Sequence, residues 1–240
     1  MTILNQFSVP DNSFWAELKF QPNDEQLYQL IQLQKQLKYW NKKVNLSRLI
    51  EGDDYWISQV FDSLWPLTKE IKSYPEESKE IIDVGSGCGF PGLAIAIAMP
   101  SAKITLLDST KRKTDTLVII IKELGLNTRV RVINQRVELT GKNPIFREKF
   151  DICMARAVAE PAVVAEYLVP LIKTEGRGLI YRGKWNKTDE NSLKEALFLL
   201  NSKINSVKSI NLPLDKGKRN LIIIEKIDQC PSKYPRKIGI

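Results

Sequence analysis

Gly85, Gly87 and Gly89 stand at alternate positions in the run EIIDVGSGCGFPG, directly after the β-forming residues 81–84 and before an apolar, helix-patterned run at 93–99. A strand that ends in glycines and hands over to a helix lets backbone N–H groups approach a ligand without interference from Cβ atoms. The spacing is G-x-G-x-G, and Phe90 occupies the place where a dinucleotide fingerprint would need its last glycine. This variant points to S-adenosyl-L-methionine as the cofactor; a plain tight turn is the competing reading. Asp108 lies 21 positions beyond Gly87, at the end of the next strand-like run, placed to accept both hydroxyls of a ribose. Ser109 and Thr110 follow and would border the adenine. An aspartate after a strand is often a helix cap, and its register with the glycine loop favours the ligand reading.

Further residues fall at strand ends, where ligands of open α/β sheets sit. Beyond the third strand, Val137 offers a backbone N–H and Glu138 a carboxylate that could read an adenine edge, or a solvated loop start. Arg156, in Ala155-Arg156-Ala157 at the end of the fourth strand, suits a bidentate pair with a cofactor carboxylate, although a surface arginine is the default. Amino-methylating enzymes carry (D/N/S)-P-P-(Y/F) at that strand end, and the nearest match, Asn143-Pro144-Ile145-Phe146, precedes the strand with the wrong third residue. Cys153, inside the strand pattern, reads as a buried inert thiol rather than a nucleophile. The chain contains no histidine, which excludes histidine acid–base catalysis and histidine-held metals, and no metal site is expected. No catalytic residue is assigned. By elimination the target atom is already nucleophilic; guanine N7, with its ring lone pair, fits, and catalysis would then be mainly alignment and exclusion of water.

Around these residues, strand and helix alternate. Strands are expected at 103–107, 130–134, 150–154 and 178–181, and helices at 111–124, 161–173 and 188–201. Two closing strands, about 207–212 and 220–226, joined by the basic turn DKGKR, should form an antiparallel hairpin. The expected fold is α/β: a Rossmann-like, seven-stranded, mostly parallel sheet of the class I methyltransferase kind. Ahead of it, residues 24–40 form a helix capped at Asn23 or Asp24, and 55–70 a second helical stretch. Residues 1–75 are thus a helical N-terminal extension and 76–240 the main domain, with the boundary at Pro75. The aromatics Trp15, Tyr39, Trp40, Trp56 and Trp65 read as core rather than as stacking platforms.

Thirty-six lysines and arginines against 28 acids give a net charge of +8, which points to a nucleic-acid partner over the alternative of a solvated basic surface. No basic leader with an apolar core opens the chain, and no apolar run nears the ~18 residues of a membrane span, so a cytoplasmic location is expected. Cys88, Cys153 and Cys230 are odd in number, far apart and without a CxxC pair, as in a reduced compartment.

DVGSGCGFPGLAIAIAMP followed by ITLLDSTKRKTDTL resembles the bacterial small-subunit rRNA guanine-N7 methyltransferases, the glucose-inhibited division protein B family. The likeness continues through LKYWNKKVNLSRL, FDSL, QRVE, ARAVA and the tail KYPRKIG, in order and over nearly the whole chain. It implies methyl transfer from S-adenosylmethionine to N7 of one guanine in the 530 loop of 16S rRNA, in the small subunit or its assembly intermediate, by a monomer. By motif position Gly85, Gly87, Phe90, Asp108, Ser109, Thr110, Val137, Glu138 and Arg156 would hold the cofactor. The family usually carries Arg-His shortly before the Asp-Ser-Leu of FDSL; here Ser58-Gln59 stand there. Candidate RNA contacts are Asn45, Arg136, Arg182, Lys184, Lys218 and Arg219. The competing functions are a non-enzymatic ribosome-assembly factor with a retained cofactor pocket and an NAD-dependent oxidoreductase, the latter opposed by Phe90 and the closing hairpin.

Overall fold

The strands β1 (Glu80–Val84), β2 (Lys103–Asp108), β3 (Val130–Asn134), β4 (Phe150–Arg156), β5 (Ile172–Arg182), β6 (Ser202–Asn211) and β7 (Lys218–Lys226) form one sheet in the order β3-β2-β1-β4-β5-β7-β6. They are seen in a computed structural model that describes residues 9–73 and 78–237; the expected boundary at Pro75 lies outside the described residues. β3 to β5 pair in parallel through β2, β1 and β4, and β7 runs antiparallel between β5 and β6. The chain leaves β1 for β2 on one side and later returns to β4 on the other, so a crevice opens above β1 and β4, where ligands of such sheets bind. Residues 81–84 are buried, as expected of a central parallel strand covered on both faces.

The helices are α1 (Asn12–Leu18), α2 (Asp24–Val44), α3 (Gly52–Tyr55), α4 (Asp62–Leu64), α5 (Thr68–Ser73), α6 (Gly92–Ala98), α7 (Lys111–Glu123), α8 (Val137–Thr140), α9 (Pro161–Leu168) and α10 (Lys187–Leu199). A π-helical turn, Trp56–Phe61, joins α3 to α4. α2 starts where the sequence places it: Asn23 and Gln26 exchange side-chain and backbone hydrogen bonds in a capping box. One face of the sheet carries a core in which Leu30, Leu33, Leu37, Tyr55 and Trp56 pack with Leu93, Ile95, Leu106 and Leu117. The other face carries a second core, where Val164 and Leu168 meet Leu193, Leu197 and Ile222. No helix among the described residues is long and apolar enough to cross a membrane.

Several expectations are corrected. The helix expected at 161–173 ends at Leu168, passes through a 3-10 turn containing Pro170, and gives way to β5 at Ile172, six residues before the expected strand. The pairing with β4 jumps from Phe150–Ile172 to Ile152–Arg177, so residues 173–176 bulge from the ladder; Glu175 there adopts φ +66°, and Gly176 lies where a Cβ would be 2.8 Å from the Phe150 carbonyl. The stretch expected as one helix at 55–70 is interrupted by the π-helical turn. α1, capped by the Asp11 carboxylate, has too short a pattern to be read from sequence. Among the aromatics, Trp15 and Trp56 are core, Trp40 and Trp65 are half-buried, and Tyr39 is 53% exposed.

The joint between β1 and α6 positions the glycine loop. Asp83, fully buried at the end of β1, accepts the Gly92 N–H at 2.9 Å and so satisfies a donor that the helix start leaves open. A Cβ on Gly92 would overlap Leu106 Cδ2 and lie 2.9 Å from Asp83 Oδ2. Gly92→Ala should therefore cost about 1–3 kcal/mol of stability in urea unfolding, the range for overpacking a tight core; an unchanged midpoint would show that α6 can slide away. Burial pushes the Asp83 carboxyl up from 3.8 to about 7, and the nearby Asp108 charge adds to it, against the Gly92 N–H and the Arg156 charge. The folded state thus holds this proton more tightly than the unfolded chain does. Its contribution to stability is fully present below 3.8 and is lost as pH rises through about 7. Asp83→Asn, which keeps an acceptor for Gly92, should gain stability over the natural chain at about pH 8 relative to about pH 5. An equal difference at both values would overturn this.

Candidate functional site

At the carboxyl ends of β1, β2, β4 and β5 lies a cleft of about 810 Å³, within the range of small-molecule sites. It is floored by residues 85–88 and Phe90 and walled by Asp108 and Arg156. A side pocket of about 170 Å³ opens from it between Gly85 and Asp108, lined also by Ser109, Arg136, Val137 and Tyr167. The glycine loop is self-supporting. Gly85 and Ser86 donate N–H bonds to the Leu107 carbonyl at 2.8 and 3.1 Å, and Gly89 donates to Ser86 at 2.7 Å. Gly85 takes φ +72°, and a Cβ there would sit 2.6 Å from Val158 Cγ2, so only glycine fits.

Asp108 Oδ2 accepts the Gly87 N–H at 2.9 Å and Oδ1 accepts the Thr110 N–H at 2.8 Å. Loop, strand end and the start of α7 thereby converge on one carboxylate, which keeps lone pairs for hydroxyl donors from the cleft. Gly85, Asp108, Ser109 and Val137 line the side pocket, and Gly87, Phe90 and Arg156 the main cleft. Thr110 and Glu138 line neither. Thr110 precedes α7 without a side-chain cap bond and gives its N–H to Asp108, while Glu138 is buried and receives Arg136 at 2.9 Å and the Tyr167 hydroxyl at 3.3 Å. Burial works to raise the Glu138 carboxyl, but the Arg136 bond and charge, its own backbone N–H and the Tyr167 hydroxyl together outweigh it and the net direction is down.

Arg156 reaches across the cleft to the helical layer. Its Nη1 donates to the Ser58 carbonyl at 3.1 Å and to Asp62 Oδ2 at 3.2 Å, and its Nη2 donates to Gln59 Oε1. The guanidinium lies 6.0 Å from the Phe90 ring centroid. Gln59 is buried, and its amide donates in turn to Ser47 Oγ at 3.1 Å and contacts Cys88 Sγ at 3.8 Å. Gln59 therefore serves as a neutral two-way connector. Asp62 also pairs with Arg219 at 3.4 Å. Burial raises the Cys153 and Cys88 thiols, which for Cys153 suits the inert-thiol reading.

Of the residues expected to contact RNA, Arg182, Lys184 and Arg219 share the cleft rim. Arg182 is tied to the Ala159 carbonyl at 3.0 Å and to Glu160 at 3.4 Å. Asn45 ends α2 in the left-handed conformation and is exposed, and Lys218 is exposed at the start of β7. Arg136 is placed elsewhere, in the side pocket against Glu138. Sequence reasoning missed Asp62, Ser47 and Tyr167 as part of the site. Asp62 lay within a quoted motif, but nothing in its spacing ties it to the end of β4.

The match to known proteins follows this layout. A model of the family described as "GidB: rRNA small subunit methyltransferase G" matches residues 26–222. A protein of Prochlorococcus marinus (strain NATL2A) named ribosomal RNA small subunit methyltransferase G is 52% identical over 225 residues, 94% of this chain and 90% of that one. One of the same name from Synechococcus sp. (strain CC9311) is 52% identical over 236 residues, 98% and 92% of the two chains. Among solved structures, a branched-chain polyamine synthase of Thermus thermophilus aligns with TM-score 0.55 at 13% identity, over 70% of this chain and 56% of that one. The [4+2]-cyclase SpnF aligns with TM-score 0.53 at 15% identity, over 69% and 81%. At such identities these structures speak for the fold alone. With a family model over most of its length and relatives at half identity along nearly all of it, the chain belongs to the rRNA small subunit methyltransferase G family.

Proposed function

We propose that this protein transfers a methyl group from S-adenosylmethionine to N7 of a guanine in the 530 loop of 16S rRNA. Family membership supports rRNA methylation with this cofactor. The observation that carries the site assignment is the Asp108 carboxylate, held by Gly87 and Thr110 at the end of β2, next to the switch point between β1 and β4, with acceptor capacity facing the cleft. In this reading residues 1–75 are an N-terminal extension, whose described helices close one side of the cleft, and residues 76–240 the catalytic unit. The protein works as a cytoplasmic monomer, on the small subunit or its assembly intermediate.

The residues present fit the cofactor. Asp108 would take the ribose hydroxyls through charge-assisted bonds, Ser109 and the Val137 backbone would border the adenine, and the free N–H groups of Arg156 would take the carboxylate. When bound, S-adenosylmethionine supplies an electrophilic methyl on a positively charged sulfur. A guanine N7 carries its lone pair in the ring plane and loses no proton before it attacks. No general base is needed, which agrees with a chain lacking histidine and with protonated thiols at Cys88 and Cys153. The protein's work is then to hold two partners in line and to keep water out. Arg156, fixed by Ser58, Gln59 and Asp62, would hold the methionine end of the cofactor in place.

Small subunits lacking the modification, supplied with labelled S-adenosylmethionine, should yield N7-methylguanine confined to the 530 loop when digested and read by mass spectrometry. Another methylated nucleoside would displace the N7 assignment, and bound cofactor without transfer would favour an assembly factor. Asp108→Ala should weaken S-adenosylhomocysteine binding at least about tenfold in calorimetry, the loss of charge-assisted bonds. Gly85→Val should do the same through its clash with Val158. Unchanged affinity in both variants would remove the site assignment.

A further inference from the structure

Tyr39, expected in the core, is 53% exposed on the last turns of α2. The Lys43 ammonium lies 4.2 Å from its ring centroid and donates to its hydroxyl at 2.7 Å, while Trp40 meets it edge-on at 5.3 Å. The ring is thus braced upright on the surface rather than left to swing. Tyr39, Lys42 and Lys43 follow one another on one helical face at three- and four-residue spacing. The same helix end is fastened to the cleft. Asn41 Oδ1 accepts the backbone N–H groups of Leu46 and Ser47 at 2.6 and 2.9 Å, and both residues line the cleft. Across a seam, Arg112 of α7 donates to the Lys43 carbonyl at 3.0 Å, and its neighbour Lys113 lines the cleft from the other side. Arg48 is exposed on the loop between Ser47 and Leu49, which also line the cleft.

Among the described residues, none of Lys42, Lys43, Arg48, Arg112 and Lys113 forms an ion pair, and Arg112 spends one N–H on the Lys43 carbonyl. Unpaired cations flanking a braced, exposed ring and leading to a cleft form the pattern that holds single-stranded nucleic acid: charges follow the phosphates and the ring stacks on a base. An acidic protein surface would use the charges but has no need of an upright aromatic ring.

Resting on the RNA-methyltransferase reading above, we propose that the end of α2 and the start of α7 form the track along which a single-stranded segment of the RNA substrate enters the cleft, with Tyr39 stacking on an unpaired base and Lys42, Arg48, Arg112 and Lys113 holding phosphates. The target guanine is then delivered past Ser47 and Leu49 from a strand gripped outside the cleft. The base on Tyr39 is read only as a flat surface, so the track adds grip and not sequence choice.

The test is a titration of the full chain into a fluorescently labelled, unmodified RNA fragment spanning the 530 loop, read by anisotropy and independent of methyl transfer. Tyr39→Ala should weaken binding about 5- to 100-fold and Tyr39→Phe should restore it, the range for one base–aromatic stack. The double variant Lys42→Ala/Arg48→Ala should flatten the slope of log affinity against log salt by about 0.7 for each charge removed. S-adenosylhomocysteine affinity, measured alongside, should stay as in the natural chain and shows that the variants are folded. Natural-strength RNA binding by both Tyr39→Ala and the double variant overturns the proposal, as does a natural chain that binds neither the fragment nor the subunit. A loss seen on assembled subunits but not on naked RNA overturns it in favour of a protein partner. If the natural chain binds the RNA through this track yet transfers no methyl group, the function proposed above fails and the track stands.

Discussion

A guanidinium taken largely out of water must find acceptors for its N–H groups, because a buried charge without them is costly. Arg156 sits at the end of β4 with 16% of its side chain exposed, and its acceptors come from the helical run that precedes the sheet: the Ser58 carbonyl, Gln59 and Asp62. The π-helical turn at Trp56–Phe61 brings Ser58 and Gln59 to that point, and the cores on that face of the sheet merge behind it. The helical layer and the sheet therefore share one electrostatic joint at the mouth of the cleft. Gln59 suits this place because it is neutral and offers an acceptor to Arg156 and a donor to Ser47 at once. A side chain that titrated there would make the joint depend on pH.

The second fixed point is the Asp108 carboxylate. It is shared by the glycine loop and the start of α7, so the walls of the cleft hold one another in place before any ligand arrives. Preorganisation of this kind lowers the ordering cost that binding otherwise carries. The loop's own N–H groups are spent largely on Leu107, Ser86 and Asp108, which makes it a shaped wall more than a set of open donors.

Features set by local chemistry were legible in the sequence. The glycine loop, Asp108 at the next strand end, the capped start of α2 and the closing hairpin each rest on a few neighbouring residues. What escaped depended on distant partners. The early start of β5 rests on one pair with β4, Phe150 with Ile172, followed by a bulge over residues 173–176, where Glu175 and Gly176 argue against a strand locally. Glu138 reads as an adenine contact by spacing, yet Arg136 and Tyr167 draw its carboxylate inward. Tyr39 reads as core because an aromatic ring is more often buried than left as a stacking platform, yet α2 packs through Leu30, Leu33 and Leu37 and turns Tyr39 outward. Asp62 could not be placed, since nothing in its neighbourhood announces that β4 will end against it.

The position of β7 carries a consequence for how the protein is made. It follows β6 in the chain but is inserted between β6 and β5, pairing antiparallel with both. A ribosome delivering this chain exposes the unpaired edge of β5 until residues 218–226 emerge. Arg219, which helps to hold Asp62 at the cleft, arrives with that same strand. Sealing the sheet and completing the cleft rim are thus one late event in synthesis, and a nascent chain stopped short of β7 would present an open strand edge to its neighbours.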